Sequence, residues 1–447
     1  MSSPVVVIGN PESNRVGFLQ EALASLGREP AIVVPWREVL GEEPPCPPIL
    51  GEELTCTGEH AYRFIAGKHL RQTLLLHHDP RRIWSDHSGV AVYSSPRIGG
   101  QGGLLPFSSG EGSGPGVSKP IIRIESPGRN FEVERALLEL GADVGDEGGA
   151  PAGRLSKAAC ALLVDDKGLI RYPRQWYLGF CAALEMIEAQ LEDAPPHKLM
   201  NSPRDIAVMF DKRLCHARLK AAGIPVPGSV GPVCSYNELV SRMRETGCPR
   251  VFVKLAHGSS ASGVVALQMN DLRCQATTTV EMIEDDAGGP PRLYNSRRIR
   301  TYSDAGQIAQ LIDALCVHGV HVEQWLPKAG MDGRTMDLRV VVIAGEARHV
   351  VARMSRSPIT NLHLLNQRGD PNAIRQRMGE DAWQAAMRTC EQTMQCFPNS
   401  LYAGIDLLIT SDFKRHAVLE VNAFGDLLPG ILSDGQDTYT AELLKAV

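Results

Sequence analysis

Residues 401–427, LYAGIDLLITSDFKRHAVLEVNAFGDL, limit the fold more than any other stretch of the chain. Ile405, Leu407 and Ile409 fall on one side of a strand and Leu408 on the other. Ser411-Asp412 supplies a turn, and residues 417–421 make the return strand. Two acids break this apolar pattern, Asp406 and Glu420, and Asn422 follows Glu420 by two positions. Alternate residues of a strand share a face, so Glu420 and Asn422 point the same way, and a hairpin partner brings Asp406 beside them. Carboxylates on strands of this buried type are costly unless something positive is present. All three side chains offer hard oxygens, the ligand type magnesium takes when it also holds nucleotide phosphates. The alternative is two strand acids that face solvent, and the E-x-N pair opposite Asp406 argues against it.

The remaining chain places this hairpin at the end of a multidomain protein. Its 447 residues suffice for about three domains. A net charge of −5 with no long basic run gives no nucleic-acid or membrane surface. No apolar run approaches the roughly 18 residues of a membrane helix. The start MSSPVVVIGN has no basic n-region, and the 11 cysteines are scattered without a C-x-x-C pair. Reduced thiols and a cytoplasmic location are the expectation.

Residues 5–8 read as a strand, 16–26 as a helix and 31–34 as the next strand, a β-α-β start without a G-x-G-x-x-G fingerprint. Residues 44–48 and the Gly/Ser/Pro-rich run 94–119 read as loops. A second strand at 121–124 ends in Glu125-Ser126-Pro127-Gly128, ahead of a helix over 131–140. Ligands in open α/β sheets sit beyond the C-terminal ends of strands, so Arg123, Ser126 and Arg129 are substrate-site candidates; a helix cap with exposed arginines is the other reading. Residues 169–180 crowd Arg171, Arg174, Trp176 and Tyr177 into a pocket wall or a domain contact, and Arg174 joins the substrate candidates. Ser202-Pro203 opens a helix that runs through Asp211-Lys212-Arg213-Leu214 to Gly223, where Asp211 also reads as a cap.

Residues 251–267 are strand, small-residue loop, strand. Lys254 lies inside the first strand and calls for an anionic partner. Gly258, Ser259, Ser260, Ser262 and Gly263 let the backbone approach a phosphate closely, although no G-K-[ST] makes this a P-loop. A strand follows at 320–326. A hairpin turns around Ala344-Gly345 with Arg339, Arg353 and Arg356 near it, and the loop 358–370 carries Asn361 and His363. A helix over 381–396 precedes the acid-bearing hairpin, and a short one starts at Thr438. His318 and His321 sit on a helix end and a strand and read as ordinary residues, not as a metal pair.

This order of motifs resembles the ATP-grasp superfamily over about residues 211–430. Within it DLRVVVIAGEARHVVARM, TNLH, AGIDLL and LEVNAFGD look most like the ribosomal-protein glutamate ligase type of carboxylate–amine ligases. The resemblance implies an α/β (α+β) chain: a pre-ATP-grasp-like domain over 1–200 that contributes to the substrate site, a central and lid subdomain over 201–325, and a C-terminal subdomain with the metal site over 326–447. It implies Lys212 and Lys254 on the ATP phosphates and Ser259 and Ser260 in the lid loop. Glu323, Gln324, Trp325 and Leu326 become the adenine hinge, with backbone groups of Gln324 and Leu326 at the base edge. Asp337 falls near the nucleotide sugar, Arg353 and Asn361 beside the γ-phosphate, and Asp406, Glu420 and Asn422 on magnesium, for which manganese can substitute.

The implied reaction activates a small-molecule or peptide carboxylate as an acyl phosphate, which an amine captures with release of ADP and phosphate. A phosphotransferase that stops at a phosphorylated product and a nucleotide-binding protein without turnover are the alternatives. No nucleic-acid or membrane partner is implied, and a homo-oligomer is compatible. The sequence departs from the family pattern twice. The N-L-H-R-G-G run is Asn361-Leu362-His363-Leu364-Leu365-Asn366, and the Ser-Pro after E-V-N-A is Phe424-Gly425. Both departures fall where the acceptor substrate lies.

Overall fold

The computed structural model describes residues 3–41, 118–128, 130–145, 154–259, 261–270, 273–284, 289–364, 366–425 and 428–447. The loop expected at 44–48, most of that at 94–119, Arg129 and Ser260 lie outside the described residues. The fold is mixed α/β, and the described residues form three sheets that follow one another along the chain.

The first sheet is parallel, in the order β2 (Ile32–Val34), β1 (Val5–Ile8), β3 (Ile121–Ile124), β4 (Lys198–Leu199). Its two longer strands, VVVI and IIRI, are buried on both faces, as expected where helices cover a parallel sheet. The covering helices include α1 (Asn14–Ser25), α2 (Trp36–Val39), α3 (Phe131–Gly141), α4 (Lys157–Ala161) and α5 (Pro173–Glu192). The approach of α3 to α5 requires glycine. A Cβ on Gly179 would lie 1.8 Å from Leu137 O, and one on Gly141 2.0 Å from Gln175 O. The aromatic stretch at 169–180 packs inward and also walls a cavity: Trp176 stacks on Phe180 at 5.2 Å, meets Phe210 at 5.3 Å, and lines that cavity with Leu169, Ile170 and Arg171.

The single helix expected over 202–223 is two, α6 (Pro203–Phe210) and α7 (Lys212–Ala221). They part at Asp211, which adopts φ −93° and ψ 107° and accepts from the N–H groups of Arg213 and Leu214. An aspartate that can satisfy two orphan amides competes with helix continuation, and here the cap wins.

The second sheet is antiparallel: β8 (Arg292–Tyr302), β7 (Cys274–Ile283), β6 (Val265–Met269), β5 (Arg250–Leu255), β9 (Val320–Gln324). Helices α8 (Tyr236–Glu245) and α9 (Ala305–Cys316) close its core through Leu239, Met243, Ile308 and Leu311. Its edge strand is tied to the N-terminal part, since Ile170 N–H donates to Leu293 O at 2.8 Å and Asn295 N–H to Gly168 O at 2.7 Å.

The third sheet runs β13 (Gln367–Gly369), β12 (Glu346–Ser355), β11 (Arg334–Ile343), β14 (Tyr402–Ile409), β15 (His416–Asn422), with β10 (Gly330–Met331) on β11. Helices α10 (Pro371–Met378) and α11 (Glu380–Gln395) belong to this part, and α12 (Thr438–Ala446) packs back against α1. Alternation along β11 explains how one strand serves both a core and a site. Met336, Leu338, Val340 and Val342 join one core while Val341 and Ile343 join another. The face that is apolar at 341 and 343 carries Arg339 and Asp337 further back along the strand. No described helix is long and apolar enough to cross a membrane.

Candidate active site

The acid-bearing hairpin forms as the alternation requires. Asp406 stands directly opposite Glu420, with a register shift between Asp406 and Leu407 that leaves Leu419 as the extra residue of β15. That bulge re-aims the strand, so Leu419 and Glu420 both line one cleft with Asp406 and Leu408. The cleft lies between the second and third sheets. Phe252, Val264, Leu326 and Ile359 add apolar wall, and Lys212, Lys254, Lys328, Asp337, Arg353 and Glu323 add charge.

These charges form closed pairs. Asp406 accepts from Arg339 Nε and lies 3.1 Å from Arg353 Nη1. Register places Asp337 opposite Arg353, whose Nε donates to it at 2.7 Å, while Lys328 Nζ donates at 2.9 Å and the Thr360 hydroxyl also donates. Lys212 Nζ lies 2.9 Å from Glu420, and Lys254 pairs with Glu323. Burial pushes Asp337, Glu323 and Glu420 up, but the cations prevail. Arg353 and Lys328 hold Asp337 well below the carboxylate range, Lys254 and His321 bring Glu323 down to about 2, and Lys212 and Lys254 lower Glu420. Burial would lower Lys254, yet Glu323 and Glu420 raise it, whereas burial wins at Lys328 and lowers it. Four cations (Lys212, Lys254, Lys328, Arg353) and four acids (Glu323, Asp337, Asp406, Glu420) line the cleft, and Arg339 pairs with Asp406 from outside that lining. The cleft encloses about 90 Å³, below the ~300–1,000 Å³ of sites for drug-sized ligands.

At 324–326 the chain offers backbone groups. Trp325 N–H donates to Arg250 O at 3.0 Å, which makes Val251–Gln324 a non-hydrogen-bonded pair of the ladder and turns the peptide groups of Gln324 away from β5. Its N–H is taken by Gly228 O at 2.6 Å, so its carbonyl is the group left to offer. Leu326 N–H has no hydrogen-bond acceptor among the described residues. An acceptor carbonyl and, two residues on, a donor N–H match the amino and ring-nitrogen edge of a base.

The small-residue loop is fixed at its root by Lys212, whose N–H donates to Ala256 O at 3.0 Å and whose Nζ donates to Gly258 O at 2.5 Å. Gly263 has φ +65°, and a Cβ there would lie 2.3 Å from Leu255 Cδ1. Beyond the loop lies a second cavity of about 650 Å³, lined in part by Phe131, Arg171, Trp176, His257 and Ser259, which meets the cleft at Gly258 and Ser262.

Of the residues singled out from sequence, Lys212, Lys254, Glu323, Gln324, Leu326, Asp337, Arg353, Asn361, Asp406 and Glu420 line the one cleft. Ser259 lines the second cavity, and Trp325 packs on Phe252 at 5.3 Å. Asn422 Nδ2 donates to Gly404 O at 3.1 Å and ties the hairpin together, and Asn422 is not among the residues that line the cleft. Arg123 is a correction. It is 1% exposed, donates to Glu125 and Glu442 at 2.6 Å each, and lies between the rings of Tyr402 and Tyr439. A strand buried on both faces gives it no route to a ligand. Ser126 accepts from Gly128 N–H in a turn, and Arg174 stands 3.3 Å from His257. Sequence reasoning missed Lys328 and Thr360, which meet only at Asp337, and His257, whose partner Asp211 read as a cap alone.

Among the described residues no group of three His, Cys, Asp or Glu side chains is placed to hold a metal ion by itself. Asp406 and Glu420, opposite one another in the cleft, nevertheless suit magnesium, which takes one or two carboxylates and completes its shell with phosphates and water.

No family model matches the chain, and no curated protein matches it. Solved structures similar to it include the ATP-grasp ligase PsnB complexed with minimal precursor, Mg and ADP, at 14% identity and a TM-score of 0.44, over 99% of this chain and 96% of that one. D-cycloserine synthetase DcsG is similar at 13% identity and a TM-score of 0.46, over 99% of each chain. The macrocyclase MdnC bound with precursor peptide MdnA, from Microcystis aeruginosa MRC, is similar at 12% identity and a TM-score of 0.43, over 98% of this chain and 97% of that one. Likeness of this degree leaves the reading of the cleft to its own residues.

Proposed function

We propose that the chain is an ATP-dependent carboxylate–amine ligase of the ATP-grasp type, working through an acyl phosphate. The observation that carries this reading is the convergence of four cations and four acids on one cleft, beside the bare backbone of Gln324 and Leu326. A purely structural ion-pair cluster does not need Leu326 N–H and Gln324 C=O to be left over beside it.

In this reading adenine lies against Phe252, Val264 and Leu408, its edge on Gln324 and Leu326, and the triphosphate runs toward Lys254, Lys212 and Arg353. Asp406, Glu420 and the Asn422 oxygen would hold magnesium, which when bound neutralises phosphate oxygens. Lys254 and Arg353 then stabilise charge on the phosphoryl group in transfer. A substrate carboxylate attacks the γ-phosphorus; the bond to ADP breaks and an acyl phosphate forms. An amine then displaces phosphate, giving an amide. No protein nucleophile is required. The loop over 256–263 keeps water from the acyl phosphate. The cavity of about 650 Å³ beside the loop has room for a peptide segment or a small molecule as acceptor.

The test is ADP release over pools of carboxylates and amines, with mass spectrometry of the product. Amide formation with one ADP per bond is expected. A phosphorylated product that no amine captures would identify a phosphotransferase, and absence of both ADP release and Mg-ADP binding would refute the reading.

A further inference from the structure

We infer that His257, held by Asp211, is a positioning residue that fixes the root of the small-residue loop relative to Lys212 and links that loop to the neighbouring cavity; the inference rests on the nucleotide reading above. His257 Nε2 lies 2.8 Å from Asp211 Oδ2. A carboxylate has no proton to donate, so Nε2 carries the hydrogen, and Arg174 Nη1 at 3.3 Å from the same nitrogen is a neighbour and not a donor to it. Asp211 is itself immobile. It accepts from Arg213 N–H at 2.8 Å, Leu214 N–H at 3.3 Å and Arg213 Nη2 at 3.0 Å. The imidazole lies on Tyr177 of α5 with ring centroids 4.1 Å apart, and Tyr177 in turn donates to Ala207 O.

The placement gives the pair its meaning. Ala256 and Gly258, on either side of His257, give their carbonyls to Lys212, the residue next to Asp211. Three consecutive loop residues are thus pinned to two consecutive residues at the helix break. Lys212 Nζ also touches Glu420 at 2.9 Å, so a shift of the loop root moves a phosphate-binding lysine against a metal-binding acid. The pair is expensive as mere packing. The His257 side chain is fully buried, and its Nδ1 has no partner among the described residues. Burial, with Arg213 and Arg174 nearby, brings the imidazole down to about 4 despite Asp211, so it stays neutral in the working range. The same residue lines the second cavity, which gives an occupant there a direct hold on the loop.

The experiment compares His257→Phe, which keeps a ring against Tyr177 and drops the donor, with His257→Gln, which returns an N–H near Nε2. Mg-ADP affinity is measured by calorimetry, and hydrogen exchange is followed in the peptide spanning 250–264. Wild type is expected to bind Mg-ADP with slowed exchange in that peptide. His257→Phe is expected to bind about tenfold more weakly and to lose the slowing, a displacement-type loss, while His257→Gln stays within about threefold of wild type and keeps it. A packing role alone would lower the melting temperature of His257→Phe and leave affinity and protection unchanged, and that result overturns the inference. So does His257→Gln behaving like His257→Phe. Should His257→Phe not fold, His257→Leu carries the same comparison. Wild type without Mg-ADP affinity overturns the nucleotide reading and this inference together, whereas wild-type binding with indifferent variants overturns the inference alone.

Discussion

Lys254→Met separates what a buried lysine does for the fold from what it does for the chemistry. Lys254 and Glu323 are 9% and 2% exposed, on adjacent strands, and pair directly. Removing the lysine strands a carboxylate whose other cationic-capable neighbour among the described residues is His321 at 3.6 Å. Breaking a buried pair from one side costs about 3–5 kcal/mol. Loss of one strong transition-state donor costs roughly 10²–10³ in rate. The double variant Lys254→Met/Glu323→Gln removes both charges, and well-matched neutral replacements of buried pairs are close to neutral for stability. Urea unfolding should therefore show a large loss in the single variant and most of it regained in the double. ATP turnover, followed as ADP release, should stay depressed in both. Turnover that returns together with stability would show that Lys254 serves only as the partner of Glu323, and wild-type turnover in the single variant would remove it from the mechanism altogether.

Glu420→Gln should fold normally by circular dichroism yet lose most ADP release, and Asp406→Asn should regain part of its activity as magnesium is raised; wild-type magnesium dependence in Glu420→Gln would rule the metal site out. Glu442 predicts a pH effect on stability. Burial and the Glu125 carboxylate outweigh Arg123 and raise it from 4.5 to about 7, so its contribution is complete below pH 4.5 and lost as pH climbs toward 7. Thermal midpoints of Glu442→Gln should fall less than those of wild type between pH 4.5 and 7, and parallel curves would show that the group does not titrate there. Gly263→Ala meets both a positive φ and Leu255 Cδ1 at 2.3 Å, and should lower stability by about 1–3 kcal/mol in urea; an unchanged midpoint would mean the loop can re-form without the left-handed turn.

The Asp406–Glu420 pairing was legible because alternation and a short turn fix register locally, and both acids interrupt apolar strands. The bulge at Leu419 was not, since nothing in LEVNA distinguishes a bulged strand from a regular one. Lys254 announced itself by lying in VFVKL, whereas Lys328 follows a proline in a loop and gains its role only where β11 and Thr360 converge on Asp337. Arg123 misled for the same reason in reverse. A charged residue near a strand's C-terminal end fits a ligand site or a buried pair equally well, and the deciding partner, Glu442, is 319 positions away. At Asp211 the competition between capping and continuing a helix is a balance of about 1 kcal/mol, too small to read without knowing that His257 waits on the other side.

The long bond from Arg123 to Glu442 has a consequence for how the molecule comes into being. Arg123 sits at the heart of the first sheet, but Glu442, Tyr402 and Tyr439 are among the later residues to leave the ribosome. Until they arrive, the buried guanidinium has Glu125 to balance it, a carboxylate that also faces Arg15 at 3.7 Å, and α1 has no α12 to cover it. Of the three sheets, the first to be made is therefore the last to be finished. During synthesis the nascent chain carries an open apolar flank through the making of the other two sheets, and a non-local closure of this span is slow. Exposure of that flank to chaperones, rather than anything in the cleft, should govern the yield of soluble protein.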